Sequence, residues 1–348
     1  MFRRFLIPLS ILLALATSVA CSADQPRYFE LTLLTTNDLH ANLVPFNHAD
    51  NLVGRVPQVK GVGGAARRAA IVARVRAESQ SPVLLLDSGD TTYGNNPLAK
   101  GFHGAPDVAV LNAMGYDAMG PGNHEFQWPA ADTLRNLKES RFPWVCANLI
   151  DEKTGKLFLD PYVIRDIDGV RVAFFGLISQ MVNTPPYRAA RELGLNAADP
   201  IEAARKLVPE IRQKADVVIC LSHLGTTSDR RLAKSVPGID VILGGHTHTR
   251  LPHPILEPTG TPTATCIGAV PIVQAFMWGS EMGATQVIFR RDDATGAYSL
   301  MSCKGDLISI DNTIPDDPAI ACIVSDYQQQ LAMRPAPTAT RAPAAVAK

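Results

Sequence analysis

The stretch DVILGGHTHTR, residues 240–250, joins a short apolar run to two glycines and then to histidines at positions 246 and 248. The apolar run is typical of a buried β-strand that ends at the glycines. In extended backbone, residues i and i+2 point to the same side, so both imidazoles could face one point in space. Half of a metal site is therefore one interpretation, and a polar loop that happens to contain two histidines is the other.

Four other segments also place polar residues directly after an apolar run. They are LTLLTTNDLH (31–40), VLLLDSGD (83–90), YDAMGPGNH (116–124) and DVVICLSH (216–223). Except in YDAM, the runs are almost continuously hydrophobic, which is typical of strands covered on both faces. Helical patterns lie between the segments, at 63–78, 106–115, 129–140 and 199–215.

This alternation of strands and helices predicts an α/β fold. In such folds, ligands bind beyond the carboxyl ends of the strands, which is where all five polar endings lie. Two later segments, one turning at Asp168-Gly169 and one at 283–310, are typical of β-hairpins. The hairpins indicate a mixed sheet, or two sheets face to face, rather than a purely parallel sheet.

The polar residues at the five strand ends form one candidate set: Asp38, His40, Asp90, Asn123, His124, His223, His246 and His248. Each residue alone has an ordinary structural explanation, such as a turn that an Asp side chain stabilises. However, five of the eight histidines of the chain fall in this set, which favours a shared site over coincidence. The other histidines, His48, His103 and His253, match no motif.

Taken in order, the motifs D-x-H, G-D, G-N-H-E, a lone His and G-H-x-H resemble those of the calcineurin-like metallophosphoesterase superfamily. LTTNDLHANL (34–43), GVGGAARRAA (61–70), GYDAMGPGNHEF (115–126) and LGGHTH (243–248) are most similar to the catalytic domain of its 5′-nucleotidase branch. The resemblance covers about residues 29–311 and implies an α/β/β/α sandwich with mixed sheets. Only 37 residues follow Asp311, so we expect the C-terminal nucleotide-binding domain of this branch to be absent.

The resemblance also implies two divalent metal ions. One ion would be bound by Asp38, His40, Asp90 and His248, and the other by Asp90, Asn123, His223 and His246, with Asp90 shared. His124 would be the catalytic residue, beside the phosphorus and not bound to metal. Nitrogen and oxygen ligands without thiolate suit Zn, Mn, Fe or Co.

The expected function is hydrolysis of phosphate esters, either nucleotide-like or generic monoesters and diesters, by in-line attack of a metal-bridging hydroxide. The family motif usually continues G-N-H-E-F-D, but this chain has Gln127 in place of the Asp. A glutamine can hydrogen-bond to His124 but adds no charge, so we expect reduced activity or a shifted pH optimum. The alternatives are an envelope metal-binding scaffold with degenerate catalysis, and a hydrolase of a non-phosphate ester such as a thiosulfo ester.

The two ends of the chain differ in composition from the rest. Residues 1–20 combine two arginines, an apolar run and small residues, as signal peptides do. SVAC (18–21) resembles a lipobox, in which Cys21 would be acylated; ordinary cleavage after Ala20 or Ala23 is the alternative. We expect an exported protein of the periplasm or cell envelope, with a catalytic domain at 29–311, a terminal helix at 312–333 and a disordered Pro/Ala-rich tail at 334–348.

The charge balance bears on the partners of the protein. The 33 basic and 33 acidic residues give a formal net charge of zero, so no nucleic-acid polymer is expected as a partner. The expected partners are a small phosphorylated substrate such as a nucleotide, and a membrane surface if Cys21 is acylated. A separate substrate-binding chain is the alternative source of a nucleoside pocket.

Overall fold

The computed structural model describes residues 27–259 and 268–334. The strands are β1 (Tyr28–Thr36), β2 (Val83–Asp87), β3 (Ala118–Met119), β4 (Leu149–Asp151), β5 (Lys156–Leu157), β6 (Tyr162–Ile167), β7 (Val170–Ile178), β8 (Leu195–Ala197), β9 (Val217–His223), β10 (Val241–Gly244), β11 (Ile255–Pro258), β12 (Ala269–Val273), β13 (Glu281–Arg291) and β14 (Tyr298–Ser309). The helices are α1 (Ala65–Glu78), α2 (Pro97–Phe102), α3 (Ala105–Met114), α4 (Ala130–Glu139), α5 (Arg188–Leu193), α6 (Pro200–Arg212), α7 (Thr226–Ser235) and α8 (Pro318–Ala332).

Two mixed sheets form the centre of the fold. The first has the order β14-β13-β1-β2-β3, and the second has the order β11-β12-β10-β9-β7-β6. Strands β1, β2 and β3 run parallel, as do β7, β9, β10 and β12, while β13, β14, β6 and β11 pair antiparallel. Both predicted hairpins are confirmed, since β6 pairs with β7 and β13 pairs with β14.

The hydrophobic core is divided into layers by the two sheets. Alternate residues of β1 point to opposite faces, so Leu31 and Leu33 lie between the sheets whereas Leu34 packs beneath helices. Helices α1, α3 and α8 cover the outer face of the first sheet, and α6 and α7 cover that of the second. This arrangement confirms the predicted α/β/β/α sandwich.

The third predicted strand, within 116–124, is much shorter in the structure than the pattern suggested. Strand β3 contains only Ala118 and Met119 because the chain then turns towards the second sheet. A Cβ atom at Gly120 would lie 2.8 Å from the carbonyl oxygen of Leu221, so only glycine fits this approach. The turn brings the segment after β3 close to the end of β9.

Several sequence predictions concern the ends of the chain. Helix α8 lies within the segment 312–333 and packs against the cluster that α1 and α3 form. The predicted signal peptide at 1–20, Cys21 and residues 335–348 of the predicted tail lie outside the described residues. Within the described ranges, none of the helices is both long enough and apolar enough to pass through a lipid bilayer.

Candidate metal centre

The carboxyl ends of both sheets meet at one edge of the sandwich. The hydroxyl of Ser88, after β2, donates to the carbonyl oxygen of Leu243 in β10 (2.8 Å). At this junction the described residues include two groups of potential metal ligands, in each of which the ligand atoms lie within 4.8 Å of one another: Asp38, His40 and His248, and Asp90, His223 and His246. The two groups therefore bring together side chains from four of the five polar segments, and the fifth segment, which carries Asn123 and His124, adjoins them through Asp90.

Asp90 belongs to the second group and also lies close to the first. Its Oδ2 is 3.0 Å from Nε2 of His223, in the second group, and 4.0 Å from Nε2 of His40, in the first. Its Oδ1 accepts a hydrogen bond from the backbone N–H of His124 (2.7 Å). One buried carboxylate thus faces both groups, which is the geometry that a shared ligand requires.

The first group is held together by Asp38. Its Oδ1 is 3.3 Å from Nε2 of His248, and its Oδ2 accepts from Asn37 Nδ2 (2.6 Å) and from the backbone N–H of His246 (2.9 Å). The Nε2 atoms of His40 and His248 lie only 3.1 Å apart. Two imidazole nitrogens and a carboxylate oxygen therefore converge on one small volume.

The backbone at the site lies outside the usual conformations of non-glycine residues. Five of the predicted ligands have positive φ angles: Asp38 (50°), His40 (47°), Asp90 (56°), His246 (78°) and His248 (51°). Left-handed backbone is uncommon for non-glycine residues and clusters at functional sites. This conformation places His246 and His248 in different groups, whereas extended backbone would point both rings to the same side.

Backbone carbonyl groups orient two of the imidazoles. The carbonyl oxygen of Tyr93 is 3.1 Å from Nδ1 of His40, and that of Ser88 is 2.6 Å from Nδ1 of His223. Because a carbonyl oxygen can only accept, each Nδ1 carries the proton. In the neutral ring, the lone pair of Nε2 then points into the site, as metal ligands require.

One buried polar atom at the site, Oδ1 of Asn123, has no hydrogen-bond partner among the described residues. The other end of this side chain is held, since Nδ2 of Asn123 donates to the hydroxyl of Tyr187 (2.8 Å). An unsatisfied buried polar atom costs about 1–3 kcal/mol. An amide oxygen is a donor that binds cations, so the residues present fit a metal centre.

The electrostatics of the histidines agree with this fit. Burial lowers the pKa of His40, and it lowers that of His246 to about 4, so both rings are neutral at neutral pH. Burial would also lower the pKa of His223, but the charge of Asp90 outweighs it and raises that pKa to about 10. The second group therefore attracts positive charge, which either a proton or a metal cation can supply.

Glu125 is a residue at the site whose role the sequence analysis missed. Its buried carboxylate accepts hydrogen bonds from four backbone N–H groups, those of Asp90 (2.8 Å), Thr91 (2.7 Å), Thr92 (2.9 Å) and Gly122 (2.7 Å). It thereby ties the loop after β2 to the loop after β3. The position of Glu125 in the G-N-H-E motif was the sequence feature that could have indicated this role.

Two further residues that the sequence analysis missed position predicted ligands. The amide of Asn37 bonds to Asp38 and also to the backbone at Ala275 (2.7 Å) and Phe276 (2.9 Å). Tyr187 holds Asn123 from 64 residues away in sequence. Asn37 adjoins the D-x-H motif, whereas no pattern in the sequence marks Tyr187.

His124 lies at the open side of the site, with its Nε2 4.0 Å from Oδ2 of Asp90. Its Nδ1 hydrogen-bonds to Oε1 of Gln127. Gln127 therefore orients the ring, although it supplies no charge. The ring also stacks on Tyr93, with centroids 5.2 Å apart.

The three histidines without a motif lie outside both groups. His48 is buried among aromatic side chains. His103 pairs with Asp132 (2.8 Å), and the exposed His253 pairs with Asp306 (3.0 Å). None of the three takes part in either ligand group.

Comparison with known proteins identifies the family. The family model described as calcineurin-like phosphoesterase matches residues 31–250, which include every residue of the two groups. The chain belongs to the calcineurin-like phosphoesterase family. This result confirms the resemblance that the sequence motifs indicated.

Similar members of this phosphoesterase family include 5′-nucleotidases. The snake venom 5′-nucleotidase of Gloydius brevicauda is 31% identical over 93% of this chain and 55% of its own length. The 5′-nucleotidase of Vibrio vulnificus (strain CMCP6) is 27% identical over 95% of this chain and 65% of its own length. The structure of a 5′-nucleotidase precursor from Thermus thermophilus superimposes with a TM-score of 0.72 at 31% identity, covering 87% of this chain and 59% of that one. The chain thus spans little more than half the length of most of these relatives.

The position of Asp90 predicts a test of the two groups. Asp90→Asn removes the negative charge that both groups face, so we expect the protein to lose both bound ions after loading with Zn²⁺ or Mn²⁺ and desalting. Elemental mass spectrometry measures the ions per chain. Asp132→Asn, the same change at a carboxylate outside the groups, should leave the metal content unchanged. Retention of both ions by Asp90→Asn would show that Asp90 is not the shared ligand.

Proposed function

We propose that the chain hydrolyses phosphate esters at a centre of two divalent cations. The observation that carries the proposal is the Asp90 carboxylate, which faces a His-containing ligand group on either side. Membership of the calcineurin-like phosphoesterase family supports the same function. The names of the relatives make nucleotides the leading class of substrate.

The proposed ligands divide between two cations. Asp38, His40, Asp90 and His248 hold one, and Asp90, Asn123, His223 and His246 hold the other. Each cation then has four protein donors, all of them nitrogen or oxygen, which suits Zn, Mn, Fe or Co. The assignment is supported by the two geometric groups and by the unpartnered Oδ1 of Asn123.

When bound, such a pair of cations supplies an activated water and neutralises the charge of the phosphoryl group. The chain contributes the arrangement around them. The neutral rings of His40 and His246 donate lone pairs without adding charge, while the carboxylate of Asp90 offsets part of the positive charge between the cations. The carbonyl groups and Glu125 hold these side chains in place before substrate arrives, so little reorganisation accompanies the reaction.

His124 is the proposed catalytic residue. Because Gln127 accepts the proton of Nδ1, a second proton on the ring must reside at Nε2, which faces the cavity over the site. From there the imidazolium can stabilise a phosphoryl oxygen or donate its proton to the leaving oxygen. Gln127 keeps the ring in the orientation for this transfer, which supports active catalysis over a scaffold with degenerate catalysis.

Replacement of His124 tests the catalytic proposal. We expect His124→Ala to lower kcat by about 10²–10⁴-fold on an aryl phosphate, because the proton donor is lost. Its metal content should be unchanged, since His124 belongs to neither group. Steady-state kinetics on the Mn²⁺- or Zn²⁺-loaded protein, together with elemental analysis, measure both quantities.

The matched control is His253→Ala, at an exposed histidine that belongs to neither ligand group, which should retain full activity. A panel of a phosphomonoester, a phosphodiester and a thiosulfo ester assigns the bond that is cleaved. Full turnover by His124→Ala would remove this residue from the mechanism. A loaded wild-type protein that cleaves none of the three esters would favour the scaffold alternative.

We also propose that the protein is exported and that Cys21 is acylated. The support is the composition of residues 1–20 and the SVAC sequence, all of which lie outside the described residues. We expect Cys21→Ala to move the protein from the membrane fraction to the soluble fraction of a bacterial host. Cys322→Ala, a change at an exposed cysteine, should not move it. Wild-type protein found entirely in the soluble fraction would contradict acylation.

A further inference from the structure

A cavity of about 480 Å³ opens directly over the metal centre. Its floor includes His40, His124 and His248, and its walls include the aromatic rings of Tyr93 and Trp278. The buried carboxylate of Asp90 lies behind the floor. If a phosphoryl group binds at the floor, the rest of the substrate must therefore extend outwards between these walls. The cavity is therefore where the leaving group would lie.

The Tyr93 ring, which forms one wall of the cavity, is held in place by neighbouring aromatic side chains. The Tyr93 ring packs on Trp128 with centroids 4.4 Å apart and stacks on the imidazole of His124. The indole N–H of Trp128 donates to the carbonyl oxygen of Thr92 (2.9 Å). These contacts fix the ring next to the proposed catalytic residue.

The Trp278 wall is connected to the first ligand group. The backbone N–H of Trp278 donates to the carbonyl oxygen of Asp38 (2.7 Å), and Trp278 adopts a positive φ of 60°. Its ring stacks on His48 with centroids 5.7 Å apart and meets the edge of Phe46 at 5.7 Å. Both ring nitrogens of the buried His48 have no hydrogen-bond partner among the described residues, so His48 acts here as a packing surface.

Among the described residues, those that line the cavity include no Lys, Arg, Asp or Glu, so its formal charge depends on its histidines alone. Its polar side chains are mainly asparagine amides such as Asn42, Asn47 and Asn95. Nδ2 of Asn42 donates to the backbone carbonyl groups of Leu39 and His40. Aromatic faces with a few neutral hydrogen-bonding groups suit a planar, uncharged ligand and give nothing to balance a second phosphate.

We infer that Tyr93 and Trp278 form a leaving-group subsite, in which the planar ring of an uncharged leaving group such as a nucleoside stacks beside the metal centre. The inference rests on the proposed function and adds to it the residues that select the leaving group. It places recognition of the ring within this chain, beside the metal centre. Because stacking does not depend on a particular hydrogen-bond pattern, the subsite accepts more than one base.

The inference is tested with two esters that share phosphate and sugar but differ in the ring: adenosine 5′-monophosphate and ribose 5-phosphate. For the metal-loaded protein, we expect kcat/KM for the nucleotide to exceed that for the sugar phosphate by about tenfold or more. Trp278→Ala should lower kcat/KM for the nucleotide by a larger factor than kcat/KM for ribose 5-phosphate, so that most of the preference is lost. Trp278→Phe, which keeps an aromatic face, should retain most of it.

Controls separate recognition from folding. Tyr28→Ala, at an exposed aromatic residue of β1, should leave the ratio of the two kcat/KM values unchanged. Thermal melts report whether Trp278→Ala is folded, and Trp278→Leu, which keeps an apolar side chain but no aromatic ring, replaces it as the test if it is not. Adenosine 5′-diphosphate, whose leaving group is charged, should have a lower kcat/KM than the monophosphate.

The outcomes are distinct for the subsite and for the proposed function. Equal kcat/KM for the nucleotide and ribose 5-phosphate, an equal loss for both in Trp278→Ala, or diphosphate turnover as efficient as monophosphate turnover would overturn the inference but leave phosphoester hydrolysis intact. If neither ester is hydrolysed although the aryl phosphate is, the inference is overturned and the proposed function stands. If no phosphate ester is hydrolysed, the proposed function fails, and calorimetric titration with adenosine decides the subsite. Binding that Trp278→Ala weakens would support it, and no binding to the wild type would overturn it.

Discussion

A single buried carboxylate, that of Asp90, constrains the arrangement of the whole site. It must reach His223 of one sheet and His40 of the other while its own backbone holds a positive φ. The cost of burying this negative charge is large unless positive charge or strong hydrogen-bond donors surround it. The four backbone contacts of Glu125 fix the loops that carry it, so the position of the carboxylate does not depend on a bound ligand.

Close contact between the loops after β2 and β3 allows the Asp90 carboxylate to occupy this position. A Cβ atom at Gly89 would lie 2.2 Å from the backbone nitrogen of Gly122, and one at Gly122 would lie 2.2 Å from Oδ1 of Asp90. The two glycines thus let the loops after β2 and β3 approach until the carboxylate faces both ligand groups. The two sheets supply the rigid frame, and the strained loops at their carboxyl ends supply the chemistry.

The architecture and the location of the candidate ligands at one sheet edge were predictable from the sequence for a physical reason. Buried strands read as continuous apolar runs, and a polar residue directly after such a run lies at the sheet edge where ligands bind. The other features of the site depended on contacts that no sequence pattern records. The hydrogen bond from Asn123 to Tyr187 joins distant segments, the short β3 follows from the approach of Gly120 to Leu221, and the left-handed backbone of His246 and His248 separates two side chains that extended geometry would align.

The proposed catalytic site and the proposed leaving-group subsite are linked through shared residues. Tyr93 orients His40 with its carbonyl oxygen and packs its ring against His124, while Trp278 bonds to the backbone of Asp38.

The central claim is that two cations share the Asp90 carboxylate. The most direct measurement of this claim is anomalous X-ray scattering from crystals loaded with Zn²⁺ or Mn²⁺, recorded at the absorption edge of the metal. We predict two peaks, one on each side of the Asp90 carboxylate. A single peak, or peaks away from that carboxylate, would contradict the claim.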